Sequence, residues 1–264
     1  MTERIEGGRR LTVREQPRNI LVSIITVVFR ARSELLPLIE SVIDQKNEEI
    51  EFIIIDGGSR DGTIELLQEY ASCIDYWLSE PDLGIYDAMN KGVANARGKF
   101  LLHLNAGDAL ISIPYVQLTT LPHSFDVAAF RVSVDDKEFR PSFGLALRLC
   151  NTLHHQGTFF RRDKFPKYNI RYRVFADFDV NQRLVKGGAK IRMFDQLVAT
   201  HAGGGASDTA TRETVSEFFR IIRNNHGIAY LFPAWLMCKY HGFMRRMDSF
   251  LARFKSRGGL DQAT

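Results

Sequence analysis

Cysteine is scarce in this 264-residue sequence. Cys73, Cys150 and Cys238 are odd in number and widely spaced, which argues against a disulfide framework. No Cys-x-x-Cys pair or Cys/His cluster suggests a structural zinc site, and such usage fits a reducing cytoplasm. Long apolar runs are missing too: no stretch reaches the roughly 18 residues of a membrane span. The first apolar run, residues 20–29, is short and β-branched, and Arg30 and Arg32 follow it where a signal peptide would carry small residues. It reads as a buried strand. There is no GxxxxGK[ST] loop and no GxGxxG, so a glycine cradle for phosphates is not expected.

Charge of one sign is also missing from the body of the chain. The net charge is +4, but residues 239–257 hold six basic residues and one acid, so that tail alone carries +5 and the remainder −1. A nucleic-acid partner is therefore not expected, and the tail is a local basic feature.

What is present is a rhythm. Residues 1–19 are polar and read as a flexible leader. Strands are expected at 21–29, 51–55, 74–78 and 99–104. Helices are expected at 33–44, with Ser33 as N-cap and Pro37 confined to the first turn, at 63–70 and at 85–97. Alternation with short connections predicts an α/β fold, a mostly parallel sheet with helices on both faces. Beyond residue 110 the rhythm breaks, with strands expected at 126–134, 157–161 and 191–200 and helices at 177–186 and 212–225. The expected organisation is a leader (1–19), a catalytic domain (20–210) and C-terminal helices (211–264).

Ligands of such sheets bind at the carboxyl ends of the strands. Three strand ends carry acids: Asp56, Asp82 and Asp108. One such Asp is ordinarily a turn or cap residue. Three converging on one sheet edge suit a nucleotide site, where a carboxylate can accept N–H groups of a base or hold Mg²⁺ or Mn²⁺ against a diphosphate.

The order of motifs then becomes familiar. Val22-Ser23-Ile24-Ile25-Thr26-Val27, Asp56-Gly57-Gly58-Ser59-Arg60-Asp61-Gly62-Thr63, and Ser79-Glu80-Pro81-Asp82-Leu83-Gly84-Ile85-Tyr86-Asp87-Ala88-Met89-Asn90-Lys91-Gly92 resemble the donor half of family 2 glycosyltransferases of GT-A fold, in the subgroup of bacterial exopolysaccharide and colanic-acid-type clusters. Asn105-Ala106-Gly107-Asp108 occupies the place of that family's DxD motif, with Asn105 where the first Asp would stand. The resemblance implies that Thr26 and Val28 line the base pocket, Asp56 bonds the base, Asp82 faces the nucleoside or donor sugar, and Ser59, Tyr86, Lys91 and Asn105 complete the donor side. It implies a divalent metal (Mn²⁺ or Mg²⁺) on Asp108, with His201 beside it and Gly203-Gly204-Gly205 in a closing segment. Ala176-Asp177-Phe178-Asp179 resembles the ED motif, whose register makes Asp177 the general base and leaves Asp179 as the other candidate. His154, His155 and Gln156 fall on the acceptor side.

The function this resemblance implies is inverting transfer of a sugar from a nucleotide-sugar, UDP first among them, to a saccharide or undecaprenyl-linked acceptor. Phe243, Met247, Phe250, Leu251 and Phe254 recur at helical spacing among the basic residues, which predicts a helix lying on an anionic membrane at the inner face of the cytoplasmic membrane. Two alternatives stand beside this reading: a sugar-1-phosphate nucleotidyltransferase, and a non-catalytic saccharide-binding protein on the same fold. The first usually has a Gly- and Arg-rich loop after its first strand, whereas Phe29-Arg30-Ala31-Arg32-Ser33 has no glycine. Donor hydrolysis separates the second from an enzyme.

Overall fold

The structure, a computed structural model, describes residues 4–12, 19–135, 137–201 and 211–240. The elements follow in the order β1 (Ile5–Gly7), α1 (Arg9–Thr12), β2 (Val22–Val28), α2 (Arg32–Ile43), β3 (Ile50–Asp56), α3 (Thr63–Glu69), β4 (Tyr76–Ser79), α4 (Ile85–Asn95) and β5 (Phe100–His103). The second half adds β6 (Asp108–Leu110), α5 (Tyr115–Thr119), β7 (Val127–Val134), β8 (Lys137–Phe139), α6 (Leu145–Leu149), β9 (Thr158–Arg161), α7 (Ala176–Lys186), β10 (Ile191–His201) and α8 (Arg212–His226). The glycine run at 203–205 and the basic tail from 241 lie outside the described residues.

The strands form one sheet in the order β1-β4-β3-β2-β5-β9-β7-β10-β6, with β8 on β7. β4, β3, β2 and β5 are parallel, and the direction of strand succession reverses between β2 and β5. β9 enters antiparallel between β5 and β7. Its first residues therefore lie at the carboxyl end of β5, which brings residues 154–157 beside Asn105.

β2 and β3 are buried along their whole length. Their β-branched residues pack on both faces, as a central parallel strand requires. Val22, Ile24 and Val28 join the core under α2, while Ile25 and Val27 join the core under α4, α7 and α8. Gly92 lets α4 lie close on β2, because a Cβ there would meet Ile25 Cγ2 at 2.4 Å.

Three expectations change. Part of the leader is folded: Ile5–Gly7 pairs antiparallel with β4, and Arg10 forms a buried ion pair with Glu51. The N-cap of α2 is Ala31, and Pro37 lies in its second turn, where it removes a bond to the Ser33 carbonyl. α8 belongs to the same core as the sheet, because Ile221 and Ile222 are fully buried in it.

Candidate active site

The carboxyl edge of β2–β5 is organised by Asp56. It is fully buried, and its oxygens accept the N–H of Gly58 (3.1 Å), the N–H of Ser59 (2.9 Å) and the hydroxyls of Ser59 and Ser79, the last at 2.6 Å. Asp56 thereby holds the 57–59 turn at the carboxyl end of β3. Ser59 is buried with it and accepts the N–H of Arg30 at 2.7 Å. Arg30 has φ 51°, a strained value for a residue with a side chain. Thr26 and Val28 are buried at this strand end, and period two puts them on the α2 face with Val22 and Ile24. The surface open at this strand end is Phe29, 55% exposed, with the Arg30 guanidinium over its ring.

Asp82 reaches the same edge. A Cβ on Gly57 would meet its Oδ2 at 2.5 Å and Phe29 at 3.2 Å, so a glycine is what lets the acid approach. Its Oδ1 accepts the N–H of Gly84 at 2.8 Å. Lys91 pairs with Glu80 (2.8 Å) and donates to the Pro81 carbonyl (3.0 Å), so it clamps this segment.

The second half supplies the larger polar cluster. Asp108 Oδ1 accepts from His201 Nδ1 at 2.6 Å, and Oδ2 accepts the N–H of Asn105 at 2.7 Å. The pairing of β6 with β10 sets this meeting, since His201 is opposite Asp108 in register. The Gln156 amide lies 3.1 Å from the same His201 nitrogen. His154 packs its ring on Phe139 at 4.2 Å, and burial, its largest influence, depresses its pKa to about 4.

Asp177 sits in the first turn of α7, where the helix dipole favours a negative charge. Its Oδ2 accepts from Asn151 at 2.9 Å and lies 3.8 Å from His155 Nδ1. Its Oδ1 lies 3.3 Å from the Tyr86 hydroxyl, which shares its one proton with the Val174 carbonyl, so Tyr86 reaches the Asp177 side of the cleft. Burial pushes the Asp177 carboxyl up, but His155, the N–H of Phe178 and Asn151 outweigh it, and the group sits below the ordinary carboxylate value. Burial and then Asp177 hold the phenols of Tyr86 and Tyr168 well above theirs. Asp179 points elsewhere: it is buried against Arg183 (2.8 Å) and Asn225 (3.2 Å).

Some residues gave no signal in the sequence. Asn151 is oriented by Asn181 at 3.0 Å. Glu217 of α8 accepts the N–H groups of Arg173, Val174 and Phe175 at 2.7–2.9 Å and so anchors the start of α7. His103, fully buried at the end of β5, is held neutral with a pKa depressed to about 3, chiefly by burial. Motif order could not reveal these partners, because each comes from a distant stretch of chain.

A family model described as Glycosyl transferase family 2 matches residues 23–111. A PGL/p-HBAD biosynthesis glycosyltransferase of Mycobacterium bovis is 31% identical over 204 residues, covering 72% of this chain and 80% of that protein. The chain belongs to glycosyltransferase family 2. The putative teichuronic acid biosynthesis glycosyltransferase TuaG of Bacillus subtilis is 35% identical over 91 residues, 33% of this chain and 36% of its own. The fold of this glycosyltransferase is similar to that of S. aureus TarS 1–349 in complex with UDP-GlcNAc, with a TM-score of 0.61 at 16% identity, covering 78% of this chain and 66% of that one. Against the longer TarS chain it spans 39% of the length. Family membership sets aside the nucleotidyltransferase alternative and makes the chain an enzyme of sugar transfer.

Among the described residues no three His, Cys, Asp or Glu side chains cluster as a metal site. Asp108 and His201 are a two-donor set. That number suits a hard cation which takes most of its ligands from a diphosphate and water.

Proposed function

We propose that this enzyme transfers a sugar from a UDP-sugar to a saccharide or lipid-linked saccharide hydroxyl by one inverting displacement. The observation that carries the reading is Asp177: a carboxylate below its ordinary pKa in the first turn of α7, 3.8 Å from His155, whose ring reaches Asn105 at the donor edge. Asp177 takes the acceptor proton as the oxygen attacks the anomeric carbon, and the bond to the diphosphate breaks. Phe29, Arg30 and Asp82 offer the nucleotide surface, and Asp56, Ser59 and Lys91 keep that surface in shape. Asp108 and His201 would hold a divalent ion, whose chemistry is neutralising charge on the leaving diphosphate. The UDP-GlcNAc bound in the similar TarS fold supports a UDP-sugar donor. The names of the mycobacterial and Bacillus relatives support a cell-surface glycan acceptor.

Thermal-shift measurements with UDP-, GDP- and dTDP-sugars, with Mn²⁺ or with chelator, test this reading. A UDP-sugar with Mn²⁺ should give the largest rise in Tm, since a ligand of the native state stabilises it. A larger rise with GDP- or dTDP-sugars would reject the donor, and an unchanged rise in chelator would reject the ion.

Peripheral contact with an anionic membrane belongs to the same proposal. Residues 231–240 are helical, and Phe232, Trp235, Leu236 and Tyr240 are exposed there, with Lys239 over the Trp235 ring. Aromatic and basic residues together suit a bilayer interface. Among the described residues no helix is long and apolar enough to cross one. Deleting residues 239–264 should release the protein from anionic vesicles at low salt, and equal binding by the shortened chain would reject the contact.

A further inference from the structure

Asn105 stands where the family resemblance would put an aspartate, and its amide touches the ring that faces Asp177. Asn105 Nδ2 is 3.2 Å from His155 Nε2. An amide –NH₂ has only protons to offer, so the ring nitrogen it meets must accept. A neutral imidazole with a bare Nε2 carries its proton on Nδ1. Nδ1 is the atom that lies 3.8 Å from Asp177 Oδ2. The reverse amide orientation would let Nε2–H donate to Oδ1, but it would turn the Nδ1 lone pair toward a carboxylate, which repels it. The chain is fixed at both ends. Asn105 is tied through its own N–H to Asp108, and Asp177 is tied by Asn151 and Tyr86.

We propose that Asn105 is a positioning residue that locks His155 as the neutral Nδ1–H tautomer, with that N–H directed at Asp177. This deepens the reading of Asp177 as the base and rests on it. An N–H toward the carboxylate favours its ionised form without placing a full positive charge on it, and so leaves it free to accept the acceptor proton. The surroundings agree. The titratable groups facing Asp177 are His155, Tyr86, Tyr168, His103 and His154. Both tyrosines stay protonated, while His103 and His154 stay neutral because burial opposes a positive charge there.

The test is long-range ¹H–¹⁵N NMR of the full chain with labelled imidazoles, which reads tautomers directly, together with ¹³C titration of the Asp177 carboxyl. In the parent protein His155 should carry its proton on Nδ1. In Asn105→Ala it should move toward the Nε2–H form, and Asp177 should titrate about one pH unit higher in His155→Ala. Thermal melts check that the variants are folded. An Nε2–H ring in the parent, or an Asp177 titration unmoved in His155→Ala, overturns the proposal. Release of UDP from UDP-GlcNAc by Asp177→Asn separates the two claims. Unimpaired release removes Asp177 as base and the proposal with it, whereas lost release alongside an Nε2–H ring overturns the tautomer lock alone.

Discussion

Asp56 and Asp177 are carboxylates of one sheet's active edge, yet the halves of the molecule that carry them use them in opposite ways. In the parallel half the acid is buried and accepts two backbone N–H groups and the hydroxyl of Ser59 from the turn it organises, with the Ser79 hydroxyl of β4. In the mixed half the acid meets the side chains of Tyr86 and Asn151, from two separate segments, and lies 3.8 Å from His155. The same functional group thus organises a turn in one place and, on the proposed function, serves as the base in the other. The number and kind of its partners decide which.

That contrast can be broken by mutation. The largest expected effect is on turnover. Asp177→Asn should lower kcat by about 10²- to 10⁴-fold, the usual range for a general base, with donor KM nearly unchanged. Asp179→Asn should instead be mild in kcat, because Asp179 faces Arg183 and Asn225. Steady-state kinetics of the pair decides between them, and a dead Asp179→Asn beside an active Asp177→Asn would exchange their roles.

Next in size is stability. Asp56→Ala leaves buried donors without an acceptor and should cost about 3 kcal/mol in urea unfolding. Asp177→Ala should cost clearly less. Equal losses would mean that Asp56 is no more structural than Asp177.

Per pH unit, a smaller effect is expected from acid. His103 and His154 have folded pKa values depressed to about 3 and about 4. A depressed histidine is neutral in both states above about pH 6.5, and below that only the unfolded chain takes up the proton. Stability should therefore hold above about pH 6.5 and fall toward pH 4, by about 1.4 kcal/mol per pH unit for each such ring. Replacing His103 with Gln should flatten that slope, read from urea midpoints at several pH values, and an unchanged slope would contradict a neutral His103. The smallest effect belongs to Gly57→Ala. Its Cβ would displace Asp82 and should weaken UDP binding about ten-fold, or 1.4 kcal/mol, in calorimetry. Unchanged affinity would remove Asp82 from the nucleotide surface.

The two halves also differed in how well the sequence described them. Strands at 22–28, 50–56, 76–79 and 100–103 and the helices between them were legible, because β-branched runs buried on both faces and short connections leave a local pattern. β6, β8, α5 and α6 are three to five residues long, too short for a period to register. β9 pairs out of chain order between β5 and β7, which local pattern cannot report. The acids at strand ends were legible, but the partners that hold them were not. Asp56 is held by a turn next to it in sequence, while Asp177 depends on Asn151, 26 residues away, and on an anchor from Glu217, 42 residues from Phe175. The missing acids at positions 105 and 176 obscured the motifs, yet the amide at 105 fits the ring it meets.

The central claim is that Asp177 serves a single displacement. The most direct test is the anomeric configuration of the sugar first released from α-linked UDP-GlcNAc, followed by proton NMR before the product equilibrates in water. The account predicts the β anomer. An initial α product would require a second displacement through an enzyme nucleophile and would contradict Asp177 as the base of a one-step transfer.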